Sequence, residues 1–248
     1  MKRFATTLAL LLAFLPSANA ATVKMVSIKP SINLVIPDDI AATVATADSA
    51  GNFWVAGAKL SEPTPVVPAP TPTALNPNNV QIDTPTVLPT LTTLVVMKYS
   101  KSGALLQQYS NLIRYVVYPN EILIKSSKLT IRGEISTGKG DGFEVGMNTS
   151  GVFTTVIPYA LKVKDRDTYQ LQTKLSQWKS YTTSLPIKGI SWKPTKATRV
   201  LVRTDLKTKA VVAGYVMSGD LLSLSWIESV GIIIFRHEQT GYSLTILK

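Results

Sequence analysis

Along most of this chain apolar and polar residues alternate in short runs. Stretches such as "TVKMVSI", "TLVVMKY", "EILIKS", "KLTIRGEI", "RVLVRT", "AVVAGYV" and "GIIIFR" are rich in Val, Ile, Thr and Tyr, and Gly, Ser, Asn or Asp bound them. No long window carries apolar residues at helical spacing. The pattern predicts an all-β protein of short strands joined by turns. A helix could compete only in "TYQLQTKLSQWKSY", and there the alternation of Tyr169, Leu171 and Thr173 favours a strand.

The strands recur in a fixed phrase. "TLVVMKYSKSGALLQQYS", "GFEVGMNTSGVFTTVIPY" and "GIIIFRHEQTGYSLTILK" each place a small hydroxyl residue and a glycine (Gly103, Gly151, Gly241) between two strands. That predicts three equivalent hairpins, with glycine supplying a left-handed backbone. Upstream of each lies another strand pair whose second member contains a glycine: Gly57, Gly133 and Gly214. Strand, turn, strand, connection, strand, turn, strand is the blade of a β-propeller. The fold class expected is therefore all-β, a propeller-like array of about three to four four-stranded antiparallel blades.

The stretch "DSAGNFWVAG" followed by "LVVMKYSKSGALL" resembles the repeat of secreted bacterial β-propeller proteins, carried by Asp48, Gly51, Asn52, Trp54, Gly57, Lys98, Ser102 and Gly103. The later units keep the glycines but have "KSSK" and "DLKTK" where the first has Asp-x-x-Gly-Asn. The resemblance implies a fold and carries no catalytic residue, since such repeats serve many functions. Three units are few for a closed propeller. Residues 161–198 as a basic insertion or degraded repeat, strands from "TVKMVSI" and "INLVI", pairing with a second copy, and an open stack of sheets are the alternatives.

Two segments fall outside the pattern. Lys2 and Arg3, the short apolar run Leu8 to Leu15 and Ala18-Asn19-Ala20 read as a secretory signal peptide over residues 1–20. The rest, 21–248, reads as a single propeller-like domain, secreted or held at the cell envelope, without a transmembrane span. Residues 61–93 form a Pro-rich insertion with eight prolines between Pro63 and Pro89 and no basic residue. Proline lacks the amide a sheet ladder needs, so an extended arm is expected there.

Charge sharpens the picture. Beyond the leader, 24 Lys and Arg stand against 15 Asp and Glu, and residues 161–210 hold twelve of those bases and three of the acids. Such an excess attracts polyanions. The candidate polyanion-binding residues are Lys174, Lys179, Lys188, Lys193, Lys196, Arg199 and Arg203, with Trp178 and Trp192 for stacking or sugar contact. Lysine outnumbers arginine, which suits diffuse attraction more than bidentate recognition. An anionic polymer or cell-surface polysaccharide is the partner expected.

Little else points to chemistry. There is no cysteine, and His237 is the single histidine, which excludes thiol reactions and multi-histidine metal sites. Asp165, Asp167 and Asp141 lack the ligand count that calcium requires. No nucleophile elbow, phosphate loop or cofactor motif is present. The reading is an exported non-catalytic binding or scaffold module at or outside the cell envelope. The alternatives are an extracellular carbohydrate-active hydrolase or lyase using loop carboxylates, and a surface structural protein that self-associates, its blades closing in trans as a homo-oligomer.

Overall fold

The computed structural model describes residues 22–60, 92–113, 115–135, 141–160 and 169–248. Strands and turns make up all of the regular structure in these residues. The chain divides into two compact units, one of residues up to Ile28 together with Gln172–Met217, the other of Lys29–Leu171 with Ser218–Lys248.

In chain order the strands are β1 (Val23–Ile28), β2 (Ile32–Leu34), β3 (Ala41–Ala47), β4 (Phe53–Leu60), β5 (Thr92–Tyr99), β6 (Leu105–Ile113), β7 (Val117–Lys125), β8 (Lys128–Ile135), β9 (Asp141–Asn148) and β10 (Ile157–Ala160). Then follow β11 (Tyr169–Gln172), β12 (Ser176–Thr183), β13 (Ile190–Ser191), β14 (Thr198–Asp205), β15 (Val211–Met217), β16 (Asp220–Ile227), β17 (Gly231–Glu238) and β18 (Gly241–Leu247). "TYQLQTKLSQWKSY" thus forms strands, β11 and β12.

The larger unit is an array of three four-stranded antiparallel sheets, ordered β3-β4-β5-β6, β7-β8-β9-β10 and β16-β17-β18-β2. None closes on itself, and the arrangement is that of an incomplete propeller. The first sheet lies between the other two. Its residues alternate between two cores, so its strands read as continuous apolar runs. Ala45, Phe53, Val55, Val95 and Met97 pack with Ile233, Phe235 and Leu244 of the third sheet. Val44, Trp54, Ala56, Leu94 and Val96 pack with Leu129, Ile131, Phe143 and Val145 of the second. The innermost strands are stitched together by hydrogen bonds. Thr43 Oγ1 donates to the Pro119 carbonyl, the Ala45 amide donates to Ser223 Oγ (3.0 Å), and Ser225 Oγ donates to the Ala45 carbonyl (3.0 Å).

The recurring phrase has two structural meanings. The first is a five-residue turn. At Asp48–Asn52, Ser100–Ala104 and Asn148–Val152 the first side chain accepts the amide of the fifth residue, at 2.9, 3.1 and 2.9 Å. The fourth residue is Gly51, Gly103 or Gly151, with φ of 82°, 88° and 84°. The second is a bulge in each sheet's first strand, where Ala42 pairs with Gly57 and Pro119 with Gly133 just before the register slips. The partner backbone comes so close there that a Cβ on Gly57 would lie 2.7 Å from the Ala41 oxygen.

The expected third unit is corrected. The β14–β15 pair lies in another sheet, so Gly214 is no counterpart of Gly57. A Cβ on Gly214 would meet the side chains of Ile190 and Met25, not a partner backbone. The first strand of the third sheet is β16, with its bulge between Leu221 and Ser223, and Leu221 pairs with Arg236. Arginine stands where the other sheets have glycine. Gly241 joins the second and third strands of its sheet, whereas Gly103 and Gly151 lie between the third and fourth; the fourth strand here is β2, contributed by Ile32–Leu34.

The smaller unit carries β12, β14, β15, β1 and β13, neighbours in that order in a mixed sheet in which β1 runs parallel to both β15 and β13. Most of the Pro-rich insertion, residues 61–91, lies outside the described residues, and Thr92 and Thr93 open β5. Of the basic segment 161–198, the first eight residues lie outside them and the remainder enters the mixed sheet. The proposed leader, 1–20, also lies outside. No helix among the described residues is long and apolar enough to cross a membrane.

Candidate functional site

Charge separates cleanly between the two units. Among described residues the smaller one has ten basic side chains and a single acidic one, Asp205, while the larger has nine basic and ten acidic. Asp205 is occupied in its own turn. It accepts from the Thr208 amide (2.7 Å), the Thr208 hydroxyl (2.9 Å) and the Lys207 amide (3.0 Å), and these bonds hold its carboxyl below the ordinary range.

The alternation of β12 sorts the candidate residues. Ser176, Trp178 and Ser180 are buried, and Gln177 and Lys179 between them are exposed. Trp178 is 4% exposed and stacks on Tyr215, ring centroids 6.1 Å apart. The guanidinium of Arg203 lies 5.5 Å from the Trp178 ring centre, and its Nε donates to Ser176 Oγ (2.8 Å). Trp178 and Arg203 are therefore committed within the sheet. Arg199 is half-buried and also has an interaction partner. Lys174, Lys179, Lys188, Lys193 and Lys196 are exposed. Beside them Trp192 and Tyr181 are half-buried against Ile190, Val200 and Val202, and Lys179 Nζ sits 5.8 Å from the Tyr181 ring centre. Burial raises the Tyr181 phenol above its ordinary pKa.

Other chemistry-bearing groups are tied up. Glu121 and Glu144 share Arg132, at 3.4 and 2.6 Å, and the hydrogen bond that Arg132 Nε donates to Glu144 holds the guanidinium above its ordinary pKa. His237 rests against Tyr242 with ring centroids 4.7 Å apart. Arg236 is fully buried, donating to the Ser218 carbonyl (3.1 Å) and Thr245 Oγ1 (2.9 Å) and pairing with Glu238 (3.2 Å). No group of three or more His, Asp or Glu side chains among the described residues could hold a metal ion.

These features define the class: an all-β chain of four-stranded sheets in an open, propeller-like array, with its basic excess confined to one unit. No protein-family model and no curated sequence matches the chain. Among solved structures it is similar to a mutant of the Synechocystis apocarotenoid oxygenase, at 9% identity and a TM-score of 0.30, over 77% of this chain and 42% of that one. A chimera of that oxygenase with RPE65 gives 9% identity and a TM-score of 0.33, over 84% and 47%. The chain spans less than half the length of these structures. The expectation of a non-catalytic binding or scaffold module is corrected by this finding, since the structures it resembles are those of an oxygenase. At such TM-scores the likeness transfers no reaction, substrate or residue.

Proposed function

We propose that the smaller unit holds an anionic polymer outside the cytoplasm, acidic polysaccharide above all. The observation that supports this is the ten-to-one excess of basic side chains in that unit, with Lys174, Lys179, Lys188, Lys193 and Lys196 exposed. A field of one sign raises the local concentration of a polyanion, and each neutralised anionic group releases a counterion. Lysines on flexible stems suit a polymer of irregular charge spacing. Trp192 and Tyr181 offer partly exposed rings for sugar contact beside them. Export through the leader at 1–20 belongs to the same reading, as does kinship of the first sheet with the secreted bacterial propeller repeats, for which the Asp48 turn speaks.

Retention on immobilised heparin across a salt series tests it. The wild type is expected to elute at high salt. Lys179→Glu, Lys188→Glu, Lys193→Glu and Lys196→Glu combined alter only exposed side chains, so the variant should elute far earlier with unchanged circular dichroism. Equal retention of the two proteins, or retention indifferent to salt, would refute the assignment.

A further inference from the structure

Beside the junction of the first two sheets, a cleft of about 690 Å³ opens between the end of β6 and the β9–β10 pair. Its walls include Leu112, Ile113, Tyr115, Ile157, Pro158 and Tyr159. Three of these are large apolar or aromatic side chains left strongly exposed: Leu112 at 59%, Tyr115 at 52% and Ile157 at 50%. Apolar side chains gathered around a concavity, unlike ones scattered over a surface, mark a place where something binds.

We propose that this cleft binds an uncharged, apolar small molecule. The volume lies within the range of small-molecule sites, roughly 300–1,000 Å³. Besides the two tyrosines, the only ionisable side chain among the described residues of the wall is that of Asp141, a residue that already has an interaction partner. No cation stands among the described residues of the wall to draw an anion. An added peptide strand is disfavoured as well, because β10 is the outermost strand of its sheet and carries Pro158, which has no amide to offer. One wall is held in place before any ligand arrives. The Arg132 guanidinium lies 4.4 Å from the Tyr159 ring centre and is itself fixed by Glu121 and Glu144. A ring already positioned loses less entropy on binding.

The test uses the full chain and N-phenyl-1-naphthylamine, an uncharged probe that fluoresces in apolar surroundings. Saturable one-to-one binding is expected, with an affinity indifferent to salt and unaffected by the lysine reversals in the smaller unit. Leu112→Asp and Ile157→Asp replace half-exposed side chains, so thermal melts should change little. Each should weaken the probe by about tenfold or more, because a carboxylate then has to share an apolar wall. Absence of saturable binding, or binding that neither substitution weakens, would overturn the proposal. So would binding that appears only after residues 61–91 are excised, since the chain itself would then be the occupant.

Discussion

Gly133→Ala probes the bulge geometry directly. A Cβ at this position would lie 2.2 Å from the Tyr118 carbonyl oxygen, 2.6 Å from Phe143 Cε1 and 2.8 Å from Pro119 Cα. An ordinary carbon–oxygen contact is roughly 3.3 Å or more, so the oxygen would have to retreat by about 1 Å. Two of the three obstacles are backbone atoms of β7, next to the point where its register against β8 slips between Pro119 and Glu121. No side-chain rotation can relieve them. The third, Phe143, is fully buried in the core between the first and second sheets. Overpacking of this kind costs about 1–3 kcal/mol, and disturbing the ladder places the loss at the top of that range or above it, about 3 kcal/mol. With a urea slope of roughly 2 kcal/mol per molar, the midpoint should fall by about 1.5 M. Gly146→Ala serves as the control, because its added Cβ crowds the Thr154 side chain, at 3.1 and 3.3 Å, and meets backbone only at the ordinary distance of 3.8 Å, from the Leu129 oxygen. That variant should lose less than about 1 kcal/mol. Urea unfolding followed by circular dichroism and tryptophan fluorescence measures both. A Gly133→Ala protein within about 1 kcal/mol of the wild type would show that close backbone approach does not explain the recurring glycine.

The other expectations concern titrating and buried polar groups. Burial pushes the Tyr99 phenol up to about 12. A raised value means stability that is complete below pH 10 and lost as pH climbs through 12, about 2–3 kcal/mol in all. The difference between wild-type and Tyr99→Phe urea midpoints across that window should show it, and parallel curves would refute it. Partial burial raises the Asp48 carboxyl, but hydrogen bonds from Asn52 and the Trp54 indole and the charge of Lys98 outweigh it, so the net value lies below the ordinary one. Its contribution is therefore present above about pH 4 and lost as pH falls through the lowered value. Asp48→Ala should cost about 1–2 kcal/mol at neutral pH and flatten the acid limb of the stability curve. Glu238→Gln leaves the buried Arg236 without its carboxylate and should destabilise by about 1–3 kcal/mol, while an unchanged melting temperature would show that Ser218 and Thr245 suffice.

The strands were legible because they are short, β-branched and well punctuated. The turns at Asp48, Ser100 and Asn148 were legible because each needs a side-chain acceptor first and a left-handed glycine fourth. The third sheet departs from the expected unit for a physical reason. Arg236 occupies the place that Gly57 and Gly133 hold, and Gly214 repeats the residue for another cause, crowding by Met25 and Ile190. The contribution of Ile32–Leu34 to that sheet is a pairing across some two hundred positions, which local pattern cannot announce. In the basic unit, composition located the charge but not the sides of the strands. Trp178 proved to be buried between two buried serines, Ser176 and Ser180, where small polar residues mimic an outer face.

The strand β2 has a consequence for the order of folding. Leu34, Asn33 and Ile32 pair with Tyr242, Ser243 and Leu244. On a ribosome or in a translocation channel, residues 32–34 emerge early and their partners very late. The third sheet can gain its fourth strand only after Leu244 has followed, and from then until β2 joins it β18 presents an open edge to whatever is nearby. Closing a loop of that span is slow compared with forming local hairpins. Refolding should accordingly show the first two sheets forming early and a late phase that reports the joining of β2 to β18. A chaperone that guards strand edges would act on the chain within that interval.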